Sequence, residues 1–372
     1  MGWGKIRDRP FTLPLISNPT IKFTKHQLCI TMKQPFLTLL FALFFLLSAC
    51  KPETAFVKFR GDAMGTYYEI SYLSEQGRVN YQKQIDSLLA VFNESVSTYT
   101  PTSVISKVNQ ANAGDTIPVD DIFTIVFNKS VEVHQKTDGA FDPSVMPLIN
   151  AWGFGYKKNP PPVDSLDVDS LLQLVNLPSF TLLSNPHRIV KTVANTQLDF
   201  NAIAQGYGVD WIAQFLESKN ISNYLVDIGG ELRARGTNAH KQTWTVGIDK
   251  PLENADKREV QEIVRLNNLS IATSGNYRKF YEKNGIKYAH IIDPKTGYPK
   301  FSNLLSASVF HSDCMTADAY ATALIVMGYE KARAFVEANN TLEALFIYSD
   351  KKGALQTYYT KGVDVMKEEV KN

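Results

Sequence analysis

The stretch NYLVDIGGELRARG, residues 223–236, decides what kind of fold this chain can have. Its apolar residues alternate on either side of Gly229-Gly230, so it reads as strand interrupted by a bulge or a turn. WTVGID (244–249), LSIATSG (269–275), KYAHIID (287–293) and LLSASVF (304–310) follow as further strand-like segments, with no helical run between them. A doubly wound sheet needs a helix between successive strands. Grouped strands predict instead an α+β fold of mixed or antiparallel sheets with packed helices.

Outward from this centre the pattern stays consistent. AFVKFRGDAMGTYYEISYL (55–73) alternates about Met64-Gly65-Thr66 and predicts two strands joined there. Residues 81–95 place Ile85, Leu88, Leu89 and Phe92 on one helix face, and Asp120 is a good N-cap for a helix that stops near Gly139. Further strands are expected at 187–191 and 343–350, and helices at 207–218, 316–326 and 330–338. The Pro-rich segment at 157–170 reads as a loop that could separate two lobes.

Of the 372 residues, 44% are hydrophobic and 20% charged, as in a globular body. The formal charge of +2 is misleading, because the first 49 residues hold six Lys/Arg against Asp8 alone. The remaining 33 basic and 36 acidic residues give −3, without the basic domain a nucleic-acid binder shows. Met32-Lys33 precedes FLTLLFALFFLLSAC, an uncharged apolar run that ends in small residues before Cys50. That is a signal-peptide pattern, shorter than a membrane span, and LSAC resembles the bacterial lipobox in which the cysteine is lipidated. The expected organisation is a leader at 1–49, with Met32 the true start and 32–49 the signal peptide. A lipidated tether at 50–58 and a domain at 59–372, divisible into two lobes at the 157–170 loop, would follow. Cys29 would lie before the cleavage point and Cys50 would carry lipid, which would leave Cys314 as the free thiol of the mature chain.

Five constellations could carry chemistry. In TADAYATALIVMG (316–328), Asp318 and Thr322 are four residues apart and share a helix face, half of an oxygen-rich site suited to magnesium. Alone, the pair could equally have Asp318 capping the helix start and Thr322 bonding to its own turn. In LDFNAIAQGYGVDWI (198–212), Asp199 ends a strand-like run and small residues bend the chain into a helix, which lets a ligand approach backbone closely. DGAFDPSVMPLINAWGFG (138–155) could cradle a flat ring or simply cover a core edge. Tyr99 offers a stacking surface beside Pro101. In YAHIIDPKTGYP (288–299), alternation would put Tyr288, His290 and Ile292 on one strand face, with Asp-Pro-Lys-Thr-Gly turning the chain.

Together, GDAMGT, STYTPTS, GAFDPSV with WGFG, LDFNAIAQGYGVD, YLVDIGGELRARG, TSGNYRKF, HIIDPKTGYP and TADAYATALIVMG resemble, in this order, the ApbE family of FAD:protein FMN transferases. The resemblance implies a T-fold-like α+β architecture with a central flavin cleft. FAD would be lined by Met64, Tyr99, Ala140, Phe141, Asp142, Asp199, Gln205 and Ile292, and magnesium held by the Ala202 carbonyl with Asp318 and Thr322. Many relatives carry lysine where this chain has Gln205. The family moves FMN from FAD to a Thr or Ser hydroxyl of flavoprotein subunits in membrane electron-transfer complexes, and His290 is expected to be the general base. With the lipobox, the resemblance implies a lipid-anchored enzyme at the periplasmic face of the inner membrane. An FAD pyrophosphatase or a flavin-binding lipoprotein without catalysis are the alternatives.

Overall fold

The structure is a computed structural model that describes residues 53–156, 167–251, 259–276, 280–283 and 286–368. The expected leader, signal peptide and Cys50 lie outside the described residues, as does most of the Pro-rich segment.

The chain opens with a hairpin of β1 (Ala55–Ala63) and β2 (Thr66–Ser74) whose register closes at Ala63 and Thr66. Met64 (φ 54°) and Gly65 (φ 74°) make the two-residue turn, the left-handed geometry that matches strand twist. Because β1 starts at Ala55, residues 55–58 are sheet and not part of a tether. Helices α1 (Gln82–Val96), α2 (Val104–Gln110) and α3 (Asp121–Lys136) follow, with β3 (Thr116–Pro118) before α3. Ser103 caps α2, and Asp120 caps α3 by accepting from Phe123 N–H at 2.8 Å. Two short helices, α4 (Met146–Ala151) and α5 (Val168–Leu172), lead to β4 (Phe180–Leu183) and β5 (Arg188–Lys191), which pair with β3 as a small sheet. Positions 168–170, expected as loop, are therefore helical.

Helix α6 (Ala204–Ser218) precedes β6 (Tyr224–Ile228) and β7 (Glu231–Arg235), so Gly229-Gly230 is a hairpin turn. Then come β8 (Trp244–Asp249), β9 (Val260–Leu266), β10 (Leu269–Gly275), β11 (Phe280–Lys283), β12 (Ile286–Ala289) and β13 (Leu304–His311). Helices α7 (Cys314–Met327) and α8 (Tyr329–Ala338), strands β14 (Glu343–Ser349) and β15 (Leu355–Tyr359), helix α9 (Lys361–Asp364) and β16 (Lys367–Glu368) complete the order.

The main sheet runs β1-β2-β6-β7-β10-β13-β14-β15, antiparallel throughout. Over β10, β13 and β14 both of its faces are buried. Ala272, Ala307, Val309, Ala344 and Phe346 face the helices, while Ile271, Phe310, Leu345 and Ile347 alternate to the other side. There they meet Trp244 and Ile248 of β8 and Val264 and Leu266 of β9, from a second sheet ordered β16-β9-β8. Helix α7 is buried around nearly its whole circumference and mostly apolar, as suits a helix enclosed on all sides. It lies on β10 and β13 and touches α3, α6 and α8.

Two expectations about strands need correction. TQLDF is not a strand: Gln197 makes only an isolated bridge to Val145, and Asp199 Oδ1 accepts from Asn201 N–H at 3.0 Å in a tight turn. KYAHIID stops being strand at Ala289, short of His290 and Ile292. Ile291 and Ile292 are both buried, Ile291 in the main core and Ile292 among Leu148, Trp152 and Val168, so the two still point to opposite sides of the chain.

Candidate active site

The sheet opens where the Gly-Gly turn leads into β7. Strand β10 pairs with β7 only over Leu269–Ile271, so Thr273, Ser274 and Gly275 run past the turn and line a cavity of about 1100 Å³. That volume exceeds what a drug-sized ligand needs and suits a dinucleotide. All twelve residues expected at the catalytic, flavin and metal positions line this one cavity: Met64, Tyr99, Ala140, Phe141, Asp142, Asp199, Ala202, Gln205, His290, Ile292, Asp318 and Thr322.

One wall is the junction of α6 and α7. Gly206 N–H donates to Asp318 Oδ2 at 2.9 Å. A Cβ at Gly206 would fall 2.4 Å from the Cys314 carbonyl oxygen and 2.7 Å from Asp318 Cβ, so only glycine lets the two helices approach this closely. Asp318 does not cap its helix; Asp313 does, accepting from Thr316 N–H at 2.8 Å. Asp318 is instead buried, and burial pushes its carboxyl up to about 7 against the opposing Gly206 hydrogen bond. Nor does Thr322 serve its own turn: its hydroxyl pairs with Ser274 Oγ at 3.0 Å. Gln205, one residue before Gly206, reaches the Gly-Gly turn, its Nε2 lying 2.9 Å from where a Gly229 Cβ would stand.

The floor is made of loops. Asp199 N–H donates to Pro143 O at 2.7 Å, which ties the 199–202 bend to the 140–145 segment. Burial pushes the Asp199 carboxyl up to about 6, opposed by hydrogen bonding from Asn201. Asp142 is also pushed up by burial, while Ser144 N–H and Oγ donate to its Oδ1 at 2.7 and 2.5 Å. His134 Nδ1 lies 3.0 Å from Phe141 O and 3.4 Å from Asp142 Oδ2. Met64 holds a left-handed turn position and packs toward Gly208 of α6, 3.2 Å from where its Cβ would be. Such strain is affordable where surroundings over-determine the conformation. Tyr99 is 60% exposed at the margin, open for stacking rather than packed as core.

The opposite wall is the segment after β12. His290 is half-buried with its ring 6.4 Å from Phe154, edge to face. The turn that follows is braced by Trp152, whose indole N–H donates to Gly297 O at 2.8 Å, and by Lys300 Nζ to Asp293 Oδ2 at 3.0 Å. Gly297 has φ 76°, and a Cβ there would strike Val168. WGFG divides its labour: Trp152 is core, and Phe154 lines the cavity.

Sequence reading missed Asp227, Glu231 and Asp249, which bring the lining carboxylates to six with Asp142, Asp199 and Asp318. Asp227 could have been suspected from its place before the Gly-Gly turn, where its Oδ1 accepts from Gly230 N–H at 2.9 Å. No Lys or Arg appears among the described lining residues. Among the described residues no three His, Cys, Asp or Glu side chains converge as a metal cluster. At the α6–α7 wall a cation would meet carbonyl and hydroxyl oxygens beside one carboxylate. Ala202, Thr322 and Asp318 offer that all-oxygen set, which fits magnesium.

The comparisons with known proteins agree with this geometry. The FAD:protein FMN transferase of Vibrio cholerae is 36% identical over 310 residues, covering 82% of this chain and 91% of the relative. That of Haemophilus influenzae is 36% identical over 313 residues, covering 82% and 90%. Among solved structures, flavin transferase ApbE from Vibrio cholerae superposes with a TM-score of 0.76 at 34% identity, over 84% of this chain and all of that one. The ApbE family model matches residues 64–346, and the chain belongs to the ApbE family.

Proposed function

We propose that this protein is an FAD:protein FMN transferase that uses magnesium, and that its acceptor is a Thr or Ser hydroxyl of a flavoprotein. The observation that carries the reading is the convergence of Asp318, Thr322, Ala202 and His290 on one dinucleotide-sized, carboxylate-rich cavity. A merely flavin-binding protein has no need for that convergence.

The acceptor oxygen attacks the FMN phosphorus, the bond from that phosphorus to the bridging oxygen breaks, and AMP departs with the bridging oxygen. A phosphoester replaces a phosphoanhydride, and one proton must leave the hydroxyl. His290, the one imidazole among the described lining residues, takes that proton; imidazole is the side chain suited to doing so at neutral pH. Magnesium bound by Ala202, Asp318 and Thr322 would neutralise charge on the diphosphate oxygens. Asp318 is held for this role by the Gly206 amide, and Thr322 by Ser274. The floor formed by 140–142 and Asp199 orients the dinucleotide, with Tyr99 stacking at the open side.

The apolar run before Cys50 supports lipid anchoring, with the catalytic body outside the cytoplasm and acceptors among membrane electron-transfer complexes. Incubation with FAD, magnesium and an acceptor should yield acceptor heavier by one FMN less water, with one AMP released per flavin attached. Free FMN in equal amount to AMP, with the acceptor unmodified, would establish the pyrophosphatase instead.

A further inference from the structure

Asp210 lies outside the cavity lining, yet it is 3% exposed and makes more charged and polar contacts than a packing residue requires. Its Oδ1 accepts from Cys314 N–H at 3.0 Å and from Arg233 Nη1 at 2.7 Å, and its Oδ2 accepts from Met315 N–H at 2.9 Å. One carboxylate of α6 thus grips two successive amides at the start of α7. Helix α7 already has its own cap in Asp313, so a second carboxylate is superfluous for ending the helix. What a bidentate grip adds is direction: it fixes where the helix begins along its axis and how it is rotated.

That rotation decides where the chemistry points. Asp318 follows Met315 by three residues and Thr322 by seven, less than two turns of helix from the grip. On α6, Gly206 and Asp210 are four residues apart and face α7 together, Gly206 meeting Cys314 and Asp318 while Asp210 meets the helix start. Arg233 balances the buried charge from β7, and Glu217 holds Arg233 from the far side at 3.7 Å.

We propose that Asp210 is a positioning residue for the metal site, holding the start of α7 so that Asp318 and Thr322 face the Ala202 carbonyl. The inference rests on the metal assignment made under the proposed function. Asp210 touches neither substrate nor metal ligand; it acts through the α7 backbone. Partners that orient metal ligands typically affect metal affinity roughly 10- to 100-fold.

The test titrates Mn²⁺ into FAD-saturated protein without acceptor, reading free Mn²⁺ by electron paramagnetic resonance. Wild type, Asp210→Asn, Asp210→Glu and Asp318→Asn are compared, with circular dichroism and metal-free FAD binding as controls for folding. Asp210→Asn should bind FAD like wild type yet need roughly 10- to 100-fold more Mn²⁺, and excess metal should restore flavin transfer. Asp210→Glu keeps the charge and lengthens the arm by one methylene; should Asp210→Asn fail to fold, a weakened Mn²⁺ affinity in Asp210→Glu carries the test. Unchanged Mn²⁺ affinity in folded Asp210 variants, beside its loss in Asp318→Asn, would overturn the inference alone. Equal Mn²⁺ binding by wild type and Asp318→Asn would overturn both the metal assignment and the inference.

Discussion

The two walls of the cavity are built on opposite plans. The α6–α7 wall is buried and helical, and its carboxylates are held by amides: Asp318 by Gly206, and behind it Asp210 by Cys314 and Met315. The wall that carries His290 is a strand end and a turn, with Tyr298 53% exposed and Phe301 59% exposed close behind. Under the proposed function, a cation's ligands must not move, whereas a base that meets a hydroxyl on another protein must stand where that protein can reach it. Rigid elements suit the first task and loops on a scaffold the second.

The comparison predicts which losses are total and which are partial. Removing the metal with a chelator, or the carboxylate by Asp318→Asn, should have the largest effect, with transfer falling at least ~10³-fold in a single-turnover assay. Excess magnesium should not repair the variant. His290→Ala should lower transfer by about 10²- to 10⁴-fold while FAD affinity stays near wild type, as measured by flavin fluorescence quenching. Equal loss of FAD affinity would mean the loop wall binds rather than catalyses.

Asp199 between the walls offers a test with the opposite sign. Its folded pKa of about 6 lies above the unfolded carboxylate value, so the folded state favours the protonated form. Its contribution is therefore most favourable below about pH 4 and is lost as pH rises through 6. Asp199→Asn should accordingly raise stability by about 2 kcal/mol at pH 7–8 in denaturant titrations, and by nothing near pH 3.5. The same substitution should weaken FAD binding, the trade expected of a site residue. Smallest is Trp152→Phe, which removes the indole N–H from Gly297 O; it should cost about 1 kcal/mol in stability and slow transfer several-fold without changing metal dependence.

Much of this was legible in the sequence, for reasons that differ between the walls. Asp318 and Thr322 were readable because a helix repeats every 3.6 residues, so a spacing of four fixes their common face. The Met64-Gly65 turn and the Asp120 cap were readable because local chemistry alone decides them. Around His290 the same kind of reasoning was half right. Alternation separates Ile291 from Ile292, and they do enter different apolar clusters, but nothing local in KYAHIID shows that the strand ends at Ala289. Strand β9 escaped notice because the charged residues of VQEIVRL mask its buried Val264 and Leu266. Asp210 could not be seen at all: its partners Cys314 and Met315 lie 104 and 105 residues away, and no spacing rule reaches that far.

The central claim is that this cavity attaches flavin to protein. Purified chain, FAD, magnesium and an acceptor carrying its Thr, or that Thr changed to Ala, can be mixed and run on a denaturing gel viewed under ultraviolet light. The account predicts a fluorescent band at the intact acceptor alone, lost in the Thr→Ala acceptor and without magnesium. A wild-type reaction that releases AMP but leaves every acceptor dark would contradict it.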